Sequence, residues 1–313
     1  FMPDAKVTMG GMNRRQQKEL KLKRALCSIG AYECIHYSFF SPSDLDLLRL
    51  PEDAPERKAI RILNPINEEL SLMRTTLAAS MLNAISRNQK RGNLEGRLFE
   101  LGKRFIAKEL PLTDYPDERE TLCVGIFGEK ESFYTLKGMA EKVAKTLFVE
   151  FSYVPDKKTY LHPYQTAAIF CEGERVGYLG KVAYEAAEKL DLRGSAYIME
   201  IDMKLLEKYF DRRAAFEPLS RFPEENRDLA LVMDKAITCG QVEEVMKKSC
   251  KYIKNIRLFD VYEGEQIPAD KKSMAFTITF QPGEEAFEAD AVERFVNKIL
   301  KNLKNELEIE LRS

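Results

Sequence analysis

The sequence has little of what most metal sites and histidine-dependent hydrolases are built from. Its 313 residues include only two histidines, His36 and His162, and none of its six cysteines forms a CxxC pair. A zinc site of ordinary spacing is therefore not supported, and a catalytic triad centred on histidine is not favoured. We interpret the cysteines as reduced, small apolar residues, and we expect no metal in this chain.

The sequence also lacks long apolar runs and an excess of charge of either sign. No stretch reaches the roughly 18 apolar residues of a membrane span, and residues 1–11 lack the apolar core of a signal peptide. We therefore expect a cytoplasmic protein with no membrane partner. The 49 basic and 50 acidic residues almost cancel, so any contact with nucleic acid must be local.

The length of the chain and its 44 % hydrophobic content are typical of a globular protein with two domains. We place the domains at 1–213 and 219–313, because the segment 211–223 is rich in arginine and proline and separates two differently patterned regions. The fold class that we predict for the whole chain is α+β.

The first predicted domain alternates helices with short strands. Residues Leu22, Leu26 and Ile29 follow a helical repeat, and a half-buried strand is predicted from Ile35 to Phe39 because apolar and polar residues alternate there. Several further short strands favour a mostly antiparallel sheet flanked by helices.

The second predicted domain has periodic elements in the order β-α-β-β-α-β. Two helices on one face of a four-stranded sheet form the ferredoxin-like arrangement. Asp290 with Glu293, and Thr238 with Gln241, have the spacing of capping boxes at the starts of the two helices. The apolar stripe of the long helix consists of Val292, Phe295, Val296, Ile299, Leu300, Leu303 and Leu307.

Period-two alternation sorts the strands of this sheet into two faces. Phe259 and Val261 fit the face covered by helices, which leaves Asp260 and Tyr262 on the open face. Ser273 lies on the open face of the next strand, opposite in parity to its large apolar residues. Those residues are Met274, Phe276, Ile278 and Phe280.

An open face with an aromatic ring, a carboxylate and a hydroxyl is a candidate platform for unstacked RNA bases, because stacking contributes about 1–3 kcal/mol per base. Periodicity alone favours the alternative of a solvated face or a protein contact, since ferredoxin-like domains have many functions. Five nearby cations could contact phosphates or simply form a solvated helix end. They are Lys247, Lys248, Lys251, Lys254 and Arg257.

Several motifs, spread along nearly the whole sequence, resemble those of one known protein family. Four segments, in the same order, resemble the ferredoxin-fold anticodon-binding domain of the bacterial phenylalanyl-tRNA synthetase beta subunit. They are RFPEENRDLALVMD, IRLFDVYEG, KKSMAFTITF and the terminal LRS. Upstream segments resemble the catalytic-like core of the same subunit. They are LNPINEELSLMRTTL, RLFELGKRF, the His162-Pro163 pair and GERVGYLGKV.

The resemblance implies a class II synthetase-like antiparallel sheet with flanking helices that performs no chemistry, followed by a ferredoxin-like βαββαβ domain. It implies a C-terminal portion of the beta subunit, without the editing domain and with no cofactor or catalytic residue of its own. The partners implied are phenylalanine tRNA and an alpha subunit that holds ATP, Mg²⁺ and phenylalanine. This chain would dock the alpha subunit during ATP-dependent aminoacylation.

The family's motifs also imply roles for single residues. Asp260 and Tyr262 match its FDxY strand and Ser273 its KS strand, which are anticodon-reading positions, and parity places the same three residues on the open face. For Arg74, an ion pair or a contact with the alpha subunit is favoured over a substrate-clamping role. The alternative function is an independent α+β enzyme or metabolite-binding protein with a ferredoxin-like accessory domain.

Overall fold

The computed structural model describes residues 9–216 and 218–312. The chain divides into two compact units, Phe1–Ala214 and Ala215–Ser313, which we call unit 1 and unit 2. Both units combine helices and sheet, so the predicted α+β class is confirmed. No helix within the described ranges has the length and apolar character needed to span a bilayer. Residues 1–8, part of the stretch considered above for a signal peptide, lie outside the described residues.

Helices of unit 1 begin at side-chain caps where the sequence provides them. Asn13 and Gln16 form a reciprocal capping box at the first helix, and Ser132 with Thr135 does the same at the fourth. The helices in this unit, over its described residues, are α1 (Arg14–Cys27), α2 (Pro42–Leu47), α3 (Ala78–Lys90), α4 (Phe133–Leu147), α5 (Tyr184–Lys189) and α6 (Met203–Leu206).

The strands of unit 1 form one large mixed sheet and a small two-stranded one. They are β1 (Tyr32–Glu33), β2 (Phe39–Phe40), β3 (Leu72–Met73), β4 (Gly96–Ile106), β5 (Asp117–Phe127), β6 (Phe151–Pro155), β7 (Leu161–Cys171), β8 (Glu174–Val182) and β9 (Ala196–Asp202). The large sheet has the order β1-β4-β5-β9-β8-β7-β6, and the small sheet pairs β2 with β3. Neighbouring strands of the large sheet pair antiparallel, except that β1 pairs parallel to β4.

The large sheet of unit 1 is buried on both faces, as its apolar central strands require. Every residue of β9 is buried. Tyr197, Met199 and Ile201 pack into the core that contains α1 and α4, whereas Ala196 and Ile198 pack into the core that contains α3 and α5. Each large apolar side chain buried in this way contributes about 1.5–3 kcal/mol. Helices on both faces therefore hold the sheet in place.

The predicted strand from Ile35 to Phe39 is wrong over most of its length. β1 ends at Glu33, and only Phe39 at the far end of the predicted strand enters a ladder, that of β2. The intervening residues alternate in polarity but pair with no strand, and the side chains of Ile35 and Tyr37 are 90 % and 69 % exposed. Alternating apolar and polar residues form a strand only where a neighbouring strand supplies hydrogen-bond partners for their backbone.

Unit 2 has the element order that the sequence predicts. Its elements are β10 (Glu225–Asp234), α7 (Cys239–Ser249), β11 (Ile253–Tyr262), β12 (Lys271–Phe280), α8 (Ala291–Leu307) and β13 (Glu310–Leu311). The four strands pair antiparallel in the order β11-β12-β10-β13. Both helices contribute to a single apolar core beneath one face of this sheet, which confirms the ferredoxin-like prediction.

The two predicted capping boxes of unit 2 have different outcomes. Thr238 and Gln241 form the predicted box at the start of α7. Asp290 precedes α8, but its side chain makes no cap hydrogen bond, because its backbone (φ −105°, ψ 7°) lies outside the extended region that an N-cap residue adopts. The predicted Asp290–Glu293 box is therefore wrong, although α8 itself and its apolar stripe are present.

Candidate nucleic-acid interface

The open face of the unit 2 sheet brings together the three predicted anticodon residues. Tyr262 of β11 lies directly opposite Ser273 of β12, and Asp260 lies opposite Ala275. Paired residues of antiparallel strands project to the same face, and β12 turns Met274 and Phe276 toward the helices. Asp260, Tyr262 and Ser273 therefore share one end of the face that the helices leave uncovered.

A β-bulge between Leu258 and Asp260 sets this orientation. Leu258 packs against the core beneath the helices, whereas Asp260, two residues later, pairs with the open-face residue Ala275. The extra residue is Phe259, which is 51 % exposed. Its predicted position under the helices is therefore wrong. Val261 pairs with the core residue Met274 but is still 49 % exposed, because β11 is an edge strand.

The three predicted groups differ in how accessible they are. Asp260 is exposed, and its side chain has no hydrogen bond or ion pair within the described part of the chain. Tyr262 is half-buried, and Ser273, which lies between Val232 of β10 and Tyr262, is only 3 % exposed. A ligand on this face would meet Asp260 and Tyr262 first, and it would reach Ser273 only between the neighbouring strands.

Arg312 is a further member of this site that sequence reasoning missed. Its guanidinium carbon lies 4.9 Å from the centre of the Tyr262 ring, and its Nη2 donates to Oε1 of Gln266 at 2.8 Å. The backbone N–H of Arg312 donates to the carbonyl of Ala230 at 2.8 Å, which fixes the end of the chain beside β10. The matched terminal LRS contained this residue without giving it a role, and its Ser313 lies outside the described residues.

The Tyr262 side chain is also held from the turn that follows its strand. A Cβ atom at Gly264 would lie 2.5 Å from the Tyr262 hydroxyl oxygen, so only glycine allows the ring to lie against this turn. The Arg312 guanidinium and the turn at Gly264 both lie against the Tyr262 side chain and therefore restrict the ring. A fixed ring loses little conformational entropy when a base stacks on it.

The five predicted phosphate-contacting cations do not form one free patch. Lys247 and Lys248 pair with glutamates one turn earlier on α7, and Lys254 pairs with Glu224 at 2.5 Å. Lys251 lies over the Tyr252 ring, 5.0 Å from its centre. Arg257 alone among the five lies on the sheet face of Asp260, since it pairs with Thr277 in the ladder. The hydrogen bond that Lys248 donates to Glu244 raises the pKa of Lys248.

Arg74 of unit 1 belongs to a buried ion cluster with Glu100 and His36. Its Nη1 donates to Oε1 of Glu100 at 2.8 Å, and the other oxygen of Glu100 lies 2.6 Å from Nδ1 of His36. A Cβ atom at Gly102 would collide with the Arg74 guanidinium. The side chain of Arg74 is only 3 % exposed, so it is unavailable for direct contact with a partner, and the ion pair considered above is its role.

The same cluster controls the ionisation of Glu100. Burial by itself raises the pKa of this carboxyl group, but the hydrogen bond from His36 and the charge and hydrogen bond of Arg74 outweigh it, and the pKa is lowered overall. Glu100 is therefore ionised at neutral pH. His36 is therefore a hydrogen-bonded structural residue of this cluster.

A second buried carboxylate, that of Glu200 on β9, lies against the first turn of α3. Oε1 of Glu200 accepts hydrogen bonds from the backbone N–H groups of Leu77 and Ala78 at 2.6 and 3.0 Å, and from the Thr76 hydroxyl at 2.8 Å. The Tyr178 hydroxyl donates to Oε2 at 2.6 Å. Burial and the charge of Glu200 raise the pKa of Tyr178 well above its ordinary value. An internal carboxylate thus takes the place that an anionic ligand could occupy at a helix start.

Unit 1 also carries an exposed apolar surface beside the Arg74 cluster. Ile35 and Tyr37 line a cavity of about 500 Å³ together with Phe39 and Leu70. Arg74 supports this segment from within, since its backbone N–H donates to the Ser38 carbonyl at 2.9 Å. Within the described residues, no group of three or more His, Cys, Asp or Glu side chains could hold a metal ion.

Comparison with known families matches both units. Residues 1–203 match the family described as the phenylalanyl tRNA synthetase beta chain CLM domain, and residues 220–312 match the ferredoxin-fold anticodon binding domain. A pyrrolysyl-tRNA synthetase from Desulfitobacterium hafniense superposes with a TM-score of 0.51 at 19 % identity, covering 61 % of this chain and 67 % of that chain. This likeness concerns the fold alone, and it confirms the predicted class II synthetase-like sheet.

Curated relatives extend the similarity to nearly the whole chain. The phenylalanine–tRNA ligase beta subunit of Clostridium tetani is 34 % identical over 305 residues, which cover 96 % of this chain and 38 % of the relative. The corresponding subunit of Carboxydothermus hydrogenoformans is 32 % identical over 321 residues, covering 98 % and 40 %. The chain therefore spans about two fifths of the length of these relatives, and the family resemblance seen in the sequence is confirmed.

Proposed function

Because the chain belongs to the phenylalanine–tRNA ligase beta subunit family, we propose that unit 2 binds the anticodon of phenylalanine tRNA through Asp260, Tyr262 and Ser273. The observation that carries this proposal is the pairing of Tyr262 with Ser273, next to that of Asp260 with Ala275, on the open face of the sheet. One end of the face thereby combines a ring for stacking with groups that hydrogen-bond to base edges.

Each of these residues has a distinct task in the proposed complex. The Tyr262 ring stacks on an unpaired base with the face that Arg312 leaves free, since the Arg312 guanidinium lies over the ring. The Asp260 carboxylate accepts a hydrogen bond from a base N–H group, and the Ser273 hydroxyl donates or accepts as the base edge requires. Arg257, on the same face, is placed to meet a phosphate.

We further propose that unit 1 docks the alpha subunit through the apolar surface lined by Ile35, Tyr37, Phe39 and Leu70. Two of these side chains, Ile35 and Tyr37, are large, apolar and exposed, which favours a protein contact. Arg74 then acts as a positioning residue, because its backbone and side chain hold the segment that carries Ile35 and Tyr37. ATP, Mg²⁺ and phenylalanine bind to the alpha subunit in this proposal. The present chain supplies no catalytic group, and the complex works in the cytoplasm.

Filter binding of phenylalanine tRNA to the 313-residue chain at about 50 mM salt tests the anticodon proposal. Tyr262→Ala should weaken binding by roughly tenfold, since one stacked base contributes about 1–3 kcal/mol, while the melting temperature stays the same. Tyr164→Ala is the matched control, because Tyr164 is an exposed tyrosine of unit 1. Equal affinity for the Tyr262 variant and the control would contradict the proposal.

The rival function, an independent enzyme, makes a different prediction. If the alpha subunit supplies all the chemistry, the purified chain shows no ATP–pyrophosphate exchange, and exchange appears only when the alpha subunit is added. Robust exchange by the chain alone would favour the rival.

A further inference from the structure

A cationic cavity of about 380 Å³ lies in unit 1, apart from the sites described above. It is bounded by the first turns of α1, by the end of α4 and by the segment that follows Tyr209. Five of its lining residues are basic and one is acidic. They are Arg14, Lys18, Lys21, Arg212 and Arg213, with Asp211 as the acid. Its volume is within the range of about 300–1,000 Å³ that is typical of small-ligand cavities.

The positive charge of this cavity is only partly neutralised. Arg14 pairs with Asp211 at 2.9 Å, and Arg212 pairs with Glu172 outside the cavity. Lys21 and Arg213 have no carboxylate partner within the described ranges. Burial, followed by the neighbouring charges, lowers the pKa of Lys18, although Asp211 acts in the opposite sense. Cations crowded in this way favour a bound anion.

Phe148 holds two of these lysines in place. The Lys21 and Lys18 amines lie 4.8 and 5.2 Å from the centre of its ring. The residue ends α4 in the left-handed conformation (φ 57°, ψ 44°), which is unfavourable for a bulky side chain. The cations are thus presented toward the cavity by an aromatic ring in a disfavoured backbone position.

We propose that this cavity binds a phosphate group through Lys18, Lys21 and Arg213. Two sources have this chemistry, a free polyphosphate and the phosphodiester backbone of RNA. The described residues that line the cavity all belong to unit 1, so this proposal can fail or hold independently of the anticodon face.

The deciding variant is the double substitution Lys21→Gln with Arg213→Gln. Both side chains are exposed and have no ion pair to lose, so the fold should be unaffected. The matched control is Lys189→Gln with Arg193→Gln, which removes the same charge from two exposed residues of unit 1 that do not line the cavity. Melting temperatures of all three proteins check that folding is intact.

Titration calorimetry with inorganic pyrophosphate tests the free-polyphosphate source. The Lys21/Arg213 variant should bind at least about tenfold more weakly than the native chain, because two cations close to the anion are lost, and the control should stay within about twofold. Phe148→Leu should weaken binding by about two- to fivefold, because the lysines lose their aromatic support.

Fluorescence anisotropy with a labelled 12-residue oligouridine tests the RNA source. The chain carries Tyr262→Ala in this experiment so that the anticodon face contributes little. Loss of RNA binding in the Lys21/Arg213 variant, without pyrophosphate binding, identifies the RNA backbone as the ligand. Pyrophosphate binding alone identifies a free polyphosphate. If neither probe binds, or if the control pair loses as much affinity as the cavity pair, the proposal is overturned.

Discussion

The two units use similar polar side chains in opposite ways. In unit 1, Glu100 and Glu200 are buried and every carboxylate oxygen has a partner inside the protein. In unit 2, Asp260 has no partner within the described residues and faces outward. A carboxylate that is saturated internally stabilises the fold and cannot contact a ligand without breaking those bonds. The unpartnered carboxylate contributes little to the fold and remains available for recognition.

The strongest test of this contrast is Glu200→Ala. The substitution leaves the buried N–H of Leu77 without an acceptor, and it removes one hydrogen-bond partner from the Tyr178 hydroxyl, the Thr76 hydroxyl and the Ala78 N–H. We expect a loss of about 3–5 kcal/mol in the free energy of unfolding of unit 1. Urea denaturation followed by circular dichroism measures it, with Glu188→Ala as the exposed control on α5. A loss below about 1 kcal/mol would show that Glu200 is not structurally important.

Arg74→Met should have a somewhat smaller effect. Methionine fills part of the arginine volume, but Glu100 loses its cationic partner and retains only His36, so we expect about 2–4 kcal/mol of destabilisation. Arg24→Met, on the exposed side of α1, should change stability by less than about 0.5 kcal/mol. Similar losses for the two variants would remove the distinction between the buried cluster and a surface cation.

The lowered pKa of Glu100 predicts a pH effect of known sign. Because the folded-state pKa lies below the ordinary value of 4.5, the stabilisation is fully present above pH 4.5 and is lost as the pH falls through the lower, folded-state pKa. The stability difference between the native chain and Glu100→Gln should therefore shrink as the pH is lowered from 6 to below 4.5. A constant difference over this range would exclude linkage to Glu100.

Asp260→Ala should have the smallest effect on stability and a clear effect on binding. We expect a change in unfolding free energy within about 0.5 kcal/mol, because no internal contact is lost. Affinity for phenylalanine tRNA should fall by roughly fivefold, the effect of one hydrogen bond to a base edge. Asp270→Ala, another exposed aspartate of unit 2, should leave both quantities unchanged. Destabilisation by Asp260→Ala comparable with that of Arg74→Met would contradict the contrast.

Much of the fold could be predicted because local periodicity and long-range packing agree. The α8 stripe and the alternation of β12 both point to the core in which they pack. The predicted strand at Ile35–Phe39 failed because alternation does not specify a partner strand. The cap at Asp290 failed because residue spacing does not fix the backbone angles of the cap residue.

The site could be predicted only in part, for similar reasons. Parity places Asp260 and Tyr262 correctly, but the bulge at Phe259 inverts the phase of the preceding residues, and no feature of the sequence marks it. Arg312 reaches Tyr262 only because the chain returns along β10. Arg74 and Glu100 are 26 positions apart in the sequence, and their ion pair forms only because the folded sheet brings them together.

The bulge in β11 also bears on how this strand can vary in length. Leu258 pairs with Phe276 and Asp260 with Ala275, so the ladder remains continuous if Phe259 is left out. A variant that lacks Phe259 would still present the Asp260 carboxylate and the Tyr262 phenol on the open face, from a strand without a bulge. The deletion of one residue, which usually reverses a strand's inner and outer sides, is therefore compatible with an unchanged recognition surface at this position.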